Sequence, residues 1–496
     1  RFDMDPDERW MASVRGIHRD YSGMLRHGIG QVLILLALWG DRVRTAPDAS
    51  RRADAIVGKL LKDADQRRWW SLSRDFRLLA EASPEAFLSA VEDSLDQNDP
   101  PITSLFGRDE GGIFGAEHLS DLMWALESLA WSPDWLPRVT LDLARLDAID
   151  VKPRKYVNGP MNSLREMHLL WMPQTYATLD ERLRAIDLIR KREPKTAWKL
   201  MLGVLPSGHD TSSPSPTPRW RDFSVDKVEV VTWALIRRGA EALSERLLAD
   251  AGLDPQRWVE LLDRLADVPP GPEVALDALD AIAPRLTAKP DRDVLWDKLR
   301  RVLNHNRQYP DTDWRLPDPI LARLDALYDR FEPADPLEKV AWLFQNGVAL
   351  PRPSAKGWEA SQRDLDEARV VAARTLFAEG GVSQVLALAQ LTETAGYLGK
   401  AIYDAGFPLQ DIDALIEAAV RSDDPRQRDV AHGLIISVFR DRKEPWGAAL
   451  IAKATIFTRR TLTPRAAAAV WSARTAWSVR PKSDRIPRMS RSTIAT

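Results

Sequence analysis

Ser207, His209 and Asp210 stand together at the head of the stretch SGHDTSSPSPTPRWRDFS, Ser207 to Ser224. Serine, histidine and aspartate are the residue types of an activated nucleophile, in which the imidazole sits between hydroxyl and carboxylate. Side chains this close in sequence cannot fold back on one another in that order, and no Gly-x-Ser-x-Gly turn exists to expose a serine. Hydrolase chemistry is therefore not expected here. The same stretch continues through Thr211, Ser212 and Ser213 and ends on Arg219, Trp220 and Arg221. A long polar connection ending in cation, indole and cation has the composition of a recognition surface. Partner binding is accordingly expected at Ser207, His209, Asp210, Arg219, Trp220 and Arg221. The competing reading is a surface connector whose Trp220 tucks into the core.

Other chemistries are poorly supported. Pro133-Asp134 followed by Asp150-Val151-Lys152 matches the spacing of a PD-(D/E)xK nuclease, but that chemistry needs a β-hairpin. Pro133 and Asp134 read instead as the first two positions of a helix. Asp96-Gln97-Asn98-Asp99 opens like a calcium loop and lacks its glycine and closing glutamate. The chain has no glycine-rich turn ending in Lys-Ser or Lys-Thr and no His-Glu-x-x-His, and its seven histidines never fall in metal-ligand spacing. No cofactor and no metal are expected. Gln66-Arg67-Arg68-Trp69-Trp70 is a second basic-aromatic cluster and reads as a helix with one charged and one buried face.

The composition narrows the class. Of 496 residues, 44% are apolar and 29% charged, which belongs to a folded, water-soluble chain. A formal net charge of -2 removes the simplest argument for a nucleic-acid or anionic-membrane partner. The absence of cysteine excludes disulfides, thiol nucleophiles and thiolate zinc sites and fits the cytoplasm. Met24 to Trp39 is the most apolar stretch; it is interrupted by Arg26, His27 and Gln31 and is expected to be a buried helix, with no membrane span. The first residues, Arg1 followed by Asp3, Asp5, Asp7 and Glu8, lack the features of a signal peptide and read as part of a longer chain.

The elements that must position any site are helices. Apolar residues recur at helical spacing almost throughout, as in Leu136, Val139, Leu143 and Leu146. Val228 and Val230 alternate as in a strand but continue into a pattern that suits a helix equally well. Helix starts are expected at Ser83-Pro84, Ser132-Pro133, Asp254-Pro255, Asp335-Pro336, Asp424-Pro425 and Thr463-Pro464, where a side-chain acceptor precedes proline at the first helical position. Thr178 with Glu181 forms a capping box, and Asp335 with Glu338 resembles one. The expected fold is all-α, an irregular HEAT-like solenoid of stacked helical hairpins with no substantial sheet. Breaks at 98–115, 207–224 and 351–357 divide it into an N-terminal helical segment 1–97, helical repeats 116–206 and 225–350, and C-terminal repeats 358–480. A basic tail, 481–496, is expected to be disordered. Nineteen tryptophans, among them Trp124, Trp131, Trp135 and Trp171, are expected mainly to pack between helices, with a few serving as interface anchors.

Four stretches carry a resemblance: LLAEASPEAFLSAVE (Leu78 to Glu92), ALESLAWSPDWLPRV (Ala125 to Val139), NSLREMHLLWMPQT (Asn162 to Thr175) and LPSGHDTSSPSPTPRWRDF (Leu205 to Phe223). With them, residues 24 to 470 resemble the helical-repeat portion of large bacterial multidomain defence proteins, including STAND-type NTPases whose repeats sense an invader. The resemblance implies a sensor or scaffold region. The NTPase motifs of such proteins are missing from this chain, so no active-site residue carries over. Three function classes follow in order of expectation: a non-catalytic module that binds a protein, a nucleic-acid binder using Arg67, Arg68, Arg219, Arg221 and the tail, and an enzyme with an unrecognised site at Ser207, His209 and Asp210.

Overall fold

The computed structural model describes residues 1–440 apart from 19, 46–47, 107–117, 150–157 and 354–357. The described residues are helical with no strand. The expected start at Thr463-Pro464, the tail 481–496, and Asp150, Val151 and Lys152 of the nuclease-like spacing lie outside the described residues.

Two compact units divide the chain, Arg1–Arg285 and Leu286–Thr496, with the boundary inside the expected segment 225–350. The first unit contains α1 (Gly23–Trp39), α2 (Ala49–Leu61), α3 (Gln66–Leu72), α4 (Phe76–Ala82), α5 (Pro84–Leu95), α6 (Leu119–Ala130), α7 (Leu136–Ala148), α8 (Pro160–His168), α9 (Leu179–Arg192), α10 (Pro194–Val204), α11 (Trp233–Ala251), α12 (Pro255–Asp263) and α13 (Pro272–Ile282). Contacts in this unit run between helices close together in the chain. α1 packs on α4, α4 on α6 and α6 on α8, while α2 packs on α5, α5 on α7 and α7 on α9. These are two series of contacts, joined to one another where α1 touches α2, α4 touches α5 and α6 touches α7. Phe76, Phe87, Leu122, Leu126 and Leu143 are fully buried, and the Phe76 and Phe87 rings meet edge to face at 5.8 Å.

The second unit contains α14 (Lys289–Gln308), α15 (Asp318–Phe331), α16 (Pro336–Ala341), α17 (Trp358–Gln390, broken at Gly381 by a φ of +57°), α18 (Ala395–Asp404), α19 (Leu409–Arg421) and a helical stretch at 425–440. Phe344, Leu376, Leu388, Leu398, Leu415 and Leu434 form its core.

Side-chain caps explain where several of the helices begin. Ser83, Asp254, Asp335 and Asp424 each accept a backbone N–H from the first turn, at 3.4, 2.9, 2.7 and 2.8 Å, and each such cap contributes about 1 kcal/mol. Thr178 and Glu181 make the reciprocal capping box. Glu338 instead pairs with Lys289 at 3.2 Å. The start expected at Ser132-Pro133 is displaced. Ser132 O accepts from Trp135 and Leu136 N in a turn, and the helix begins at Leu136. Pro137 is the reason: a helix begun at Pro133 would drive the Pro137 ring against the Pro133 carbonyl four residues back. Starting at Leu136 puts Pro137 in the first turn, where no N–H is needed.

Three further expectations are corrected. Within the break 98–115, Pro101–Phe106 is a 3-10 helix that buries Ile102, Leu105 and Phe106. Val228 and Val230 are exposed in a non-helical lead-in, and α11 starts only at Trp233, capped by Thr232 on Leu235 N at 3.2 Å. The helix at Met24 to Trp39 is not a buried one: Gly30, Leu33 and Ile34 are buried, but Met24 is 87% exposed and Leu25, Ile29 and Val32 about half exposed. It has helical neighbours in α2 and α4 on one side only, so apolar content alone does not cover it. Gly23–Arg42 is, among the described residues, the one helix long and apolar enough to cross a membrane by length and composition.

Candidate functional site

The stretch after α10 crosses the first unit as an extended strap, held at four places. Near its start, the Asp210 carboxylate accepts from the Ser207 backbone N–H and from the Ser207 hydroxyl, both at 3.1 Å. Arg165 on α8 donates to Asp210 at 3.1 Å, to the Thr211 carbonyl at 2.8 Å and to the Gly203 carbonyl at 3.1 Å. Ser207 therefore donates directly to Asp210, while His209 stands exposed. That is the geometry of a turn and not of a proton relay, which needs the imidazole between the other two.

Next, Glu166 on α8 accepts from the Ser212 hydroxyl at 2.6 Å and the Ser213 N–H at 3.1 Å. Trp131, just after α6, donates its indole N–H to the Pro216 carbonyl at 3.1 Å. At the far end Glu81, on the last turn of α4 and 2% exposed, takes the three consecutive backbone amides of Arg219, Trp220 and Arg221 at 3.0, 2.7 and 3.3 Å. Arg221 then turns inward to the C-terminus of α4, donating to the Glu81 carbonyl and, at 2.9 Å, to the Ala82 carbonyl. A cation at a helix C-terminus meets the negative end of the helix dipole and its unpaired carbonyls. Burial nevertheless draws the Arg221 pKa down from its ordinary value.

The expected site residues thus divide. Ser207, Asp210 and Arg221 are spent on anchoring the strap, whereas His209 and the Arg219 side chain face solvent, with the Arg219 guanidinium 5.6 Å from the Trp220 ring centre. Trp220 is half-buried, between the surface-anchor and core-plug readings. Trp220→Ala is expected to cost about 1 to 2 kcal/mol, below the roughly 3 to 5 kcal/mol of a fully buried tryptophan. Thermal melts check this; a loss at the upper figure would make Trp220 a core plug and remove it from the recognition surface.

Glu81, Trp131, Arg165 and Glu166 were not expected as site residues. Each lies within one of the four stretches quoted above, whose helical parts form the bed that the fourth stretch crosses. Of the named tryptophans, Trp131, Trp135 and Trp171 are partly buried and Trp124 is 39% exposed, whereas Trp69 and Trp258 are sealed in the core. The cluster at 66–70 is as expected: α3 exposes Arg67 and Arg68 and buries Trp69 and Trp70. Arg67 pairs with Asp3 at 2.6 Å, and Arg68 donates to the Lys62 carbonyl at 3.2 Å.

The first unit also buries several polar groups. Glu127 on α6, 5% exposed, accepts from the Ser163 hydroxyl at 2.6 Å, and burial pushes its pKa up to about 7, with the nearby Glu166 charge adding to the effect. The Thr140 hydroxyl is 3.1 Å from His168 Nε2, and Arg182 donates to the Leu169 carbonyl at 2.9 Å. Burial draws the His168 pKa down to about 3 and that of Arg182 down to about 10. Asp142 is fully buried with neither carboxylate oxygen hydrogen-bonded, and burial raises its pKa well above the ordinary range. In each case burial favours the uncharged form, which is protonated for Glu127 and Asp142 and deprotonated for His168 and Arg182. Among the described residues no three His, Asp or Glu side chains gather as a metal site would require. Comparison with protein-family models, with curated proteins and with solved structures finds no match.

Proposed function

We propose that this chain is a non-catalytic helical scaffold or sensor module that binds a protein partner, its hairpins stacked as an irregular α-solenoid. The two series of near-neighbour contacts in the first unit support the solenoid, because stacked repeats touch chiefly the repeats beside them. The observation that carries the binding role is the strap and its bed. One face of α4, α6 and α8 holds a non-helical, proline-rich segment through paired carboxylates, an arginine and an indole. A surface already built to hold extended polypeptide is the natural place for a protein ligand. The resemblance to repeat regions of bacterial defence proteins supports a sensor role within a longer chain, and the lack of cysteine supports the cytoplasm.

Selection of a displayed peptide and protein library on the purified chain tests the reading. Converged sequences that bind at about 150 mM salt, near physiological ionic strength, are the expected result. Labelled duplex DNA and single-stranded RNA are expected to lose whatever binding they show as salt rises, because phosphate contacts exchange for counterions. No converged ligand, together with tight nucleic-acid binding at that salt, would favour the nucleic-acid reading instead.

A further inference from the structure

We infer that the face of α4, α6 and α8 is a peptide groove, filled in this chain by its own segment 211–221, and that its partner is an extended Ser/Thr- and proline-rich peptide ending in Arg-aromatic-Arg. The inference rests on the protein-binding reading above and names its site and ligand class.

The strap is held mostly through its backbone. Glu81 takes three successive amides, Glu166 takes the Ser213 amide, and Trp131 and Arg165 donate to the carbonyls of Pro216 and Thr211. Any extended chain offers the same groups, so the bed does not require this particular segment. Two side chains add selectivity: a hydroxyl on Glu166 at Ser212, and a guanidinium on the carbonyls ending α4 at Arg221. The spacing also suits an extended chain. Arg219 lies six positions after Ser213, and six steps at about 3.1 Å per residue in a polyproline helix span roughly 19 Å. Two helix-to-helix steps, from α8 to α6 to α4, cover roughly 16 to 20 Å at the usual packing distance. Pro214, Pro216 and Pro218 fix alternate φ angles over that span, so little chain entropy remains to be lost on docking. The Glu81 carboxylate gives the α4 end of the groove the charge that complements an arginine-bearing peptide, whereas Glu166 is paired with Arg165 at 3.2 Å. Glu127 on α6, which accepts from the Ser163 hydroxyl, adds to that acidity when ionised.

A tethered segment competes at an effective concentration of the order of millimolar, so a free peptide binds well only once the strap is released. The test uses the full chain with residues 211–222 replaced by a glycine-serine linker of equal length, and a labelled synthetic peptide of residues 207–224. The linker variant is expected to bind the peptide saturably, about tenfold or more tighter than the unaltered chain does. Adding Glu81→Gln to the linker variant is expected to weaken binding about tenfold. A linker variant that melts cooperatively yet shows no saturable binding at about 1 mM peptide overturns the inference. Should the linker variant not fold, hydrogen exchange of the unaltered chain decides: amides 219–221 are expected to exchange at least about tenfold faster than those of α4, α6 and α8, through an opening that leaves the helices closed. Exchange of the strap only together with those helices would make it a fixed part of the fold and overturn the groove. A dimer of the unaltered chain that Glu81→Gln disperses would place the strap of a second copy in the groove and overturn the separate partner. The two readings fail separately. Ligands selected on the linker variant that are indifferent to Glu81→Gln sink the groove and leave the scaffold, whereas selections unproductive on both the unaltered chain and the linker variant sink the scaffold whatever the peptide does.

Discussion

Glu127→Gln is expected to make the protein about 3 kcal/mol more stable at pH 8 and to leave its stability nearly unchanged at pH 4. Glu127 on α6 is 5% exposed, with a midpoint of about 7 against an ordinary 4.5. Burial is the first cause, because a carboxylate loses its water there, and the Glu166 charge adds to it. The sign follows from which form the fold prefers. The native state keeps its proton more tightly than the unfolded chain, so this stabilisation is complete below pH 4.5. It is lost as pH rises from 4.5 through about 7 and is gone above that. Each pH unit between the two midpoints is worth about 1.36 kcal/mol, which gives the 3 kcal/mol. Glutamine keeps an oxygen for the Ser163 hydroxyl and offers an N–H where the acid had its O–H, with nothing to ionise. Denaturant unfolding of both proteins across pH 4 to 9 is the measurement. Curves that stay parallel would show that Glu127 is ionised in the native state. His168 works the opposite end: its stabilisation is complete above 6.5 and is lost as pH falls toward about 3, in both proteins alike.

How far the site could be read from the sequence depended on the distance over which each contact acts. Caps are local. Ser83, Asp254, Asp335 and Asp424 reach amides two or three residues on, so the letters that form them sit together in the chain. Ser132 failed as a helix start because of Pro137, five residues on and also local. The strap was visible as a polar, proline-rich break ending in Arg-Trp-Arg, but its bed was not. Glu81 meets Arg219 across 138 positions, and within LLAEASPEAF it looks like any solvent-facing glutamate at the end of a helix. Only the packing of α4 beside α6 turns it inward. The outer face of α1 misled for the complementary reason: leucines and isoleucines at helical spacing state what a face would bury, and not whether a neighbour exists to bury it.

The second unit holds the more severe test, at the crossing of α18 with the stretch 425–440. Gly433→Val is expected to cost well over about 3 kcal/mol and to abolish the cooperative melt of this unit's core. A methyl carbon built on Gly433 would stand 2.0 Å from the Gly396 carbonyl oxygen and 2.8 Å from its carbon. One built on Gly399, a turn further along α18, would stand 2.2 Å from the Val430 carbonyl oxygen and 2.8 Å from the Leu434 nitrogen. Each obstacle is main chain, which has no rotamer to adopt. Relief therefore requires the two helices to move apart. Doing so uncovers Leu398, Ile402, Val430 and Leu434, all fully buried, and each such side chain contributes about 1.5 to 3 kcal/mol by its removal from water. Gly406→Ala is the control for glycine itself, since it places a Cβ on a residue whose φ is +78°, with no atom within 4 Å of it, and carries only the cost of backbone strain. Near-ultraviolet circular dichroism and calorimetry on both variants separate the two costs. A Gly433→Val protein that melts within a few degrees of the unaltered chain would mean that the helices do not approach so closely, and the packing of the α18 crossing would have to be redrawn.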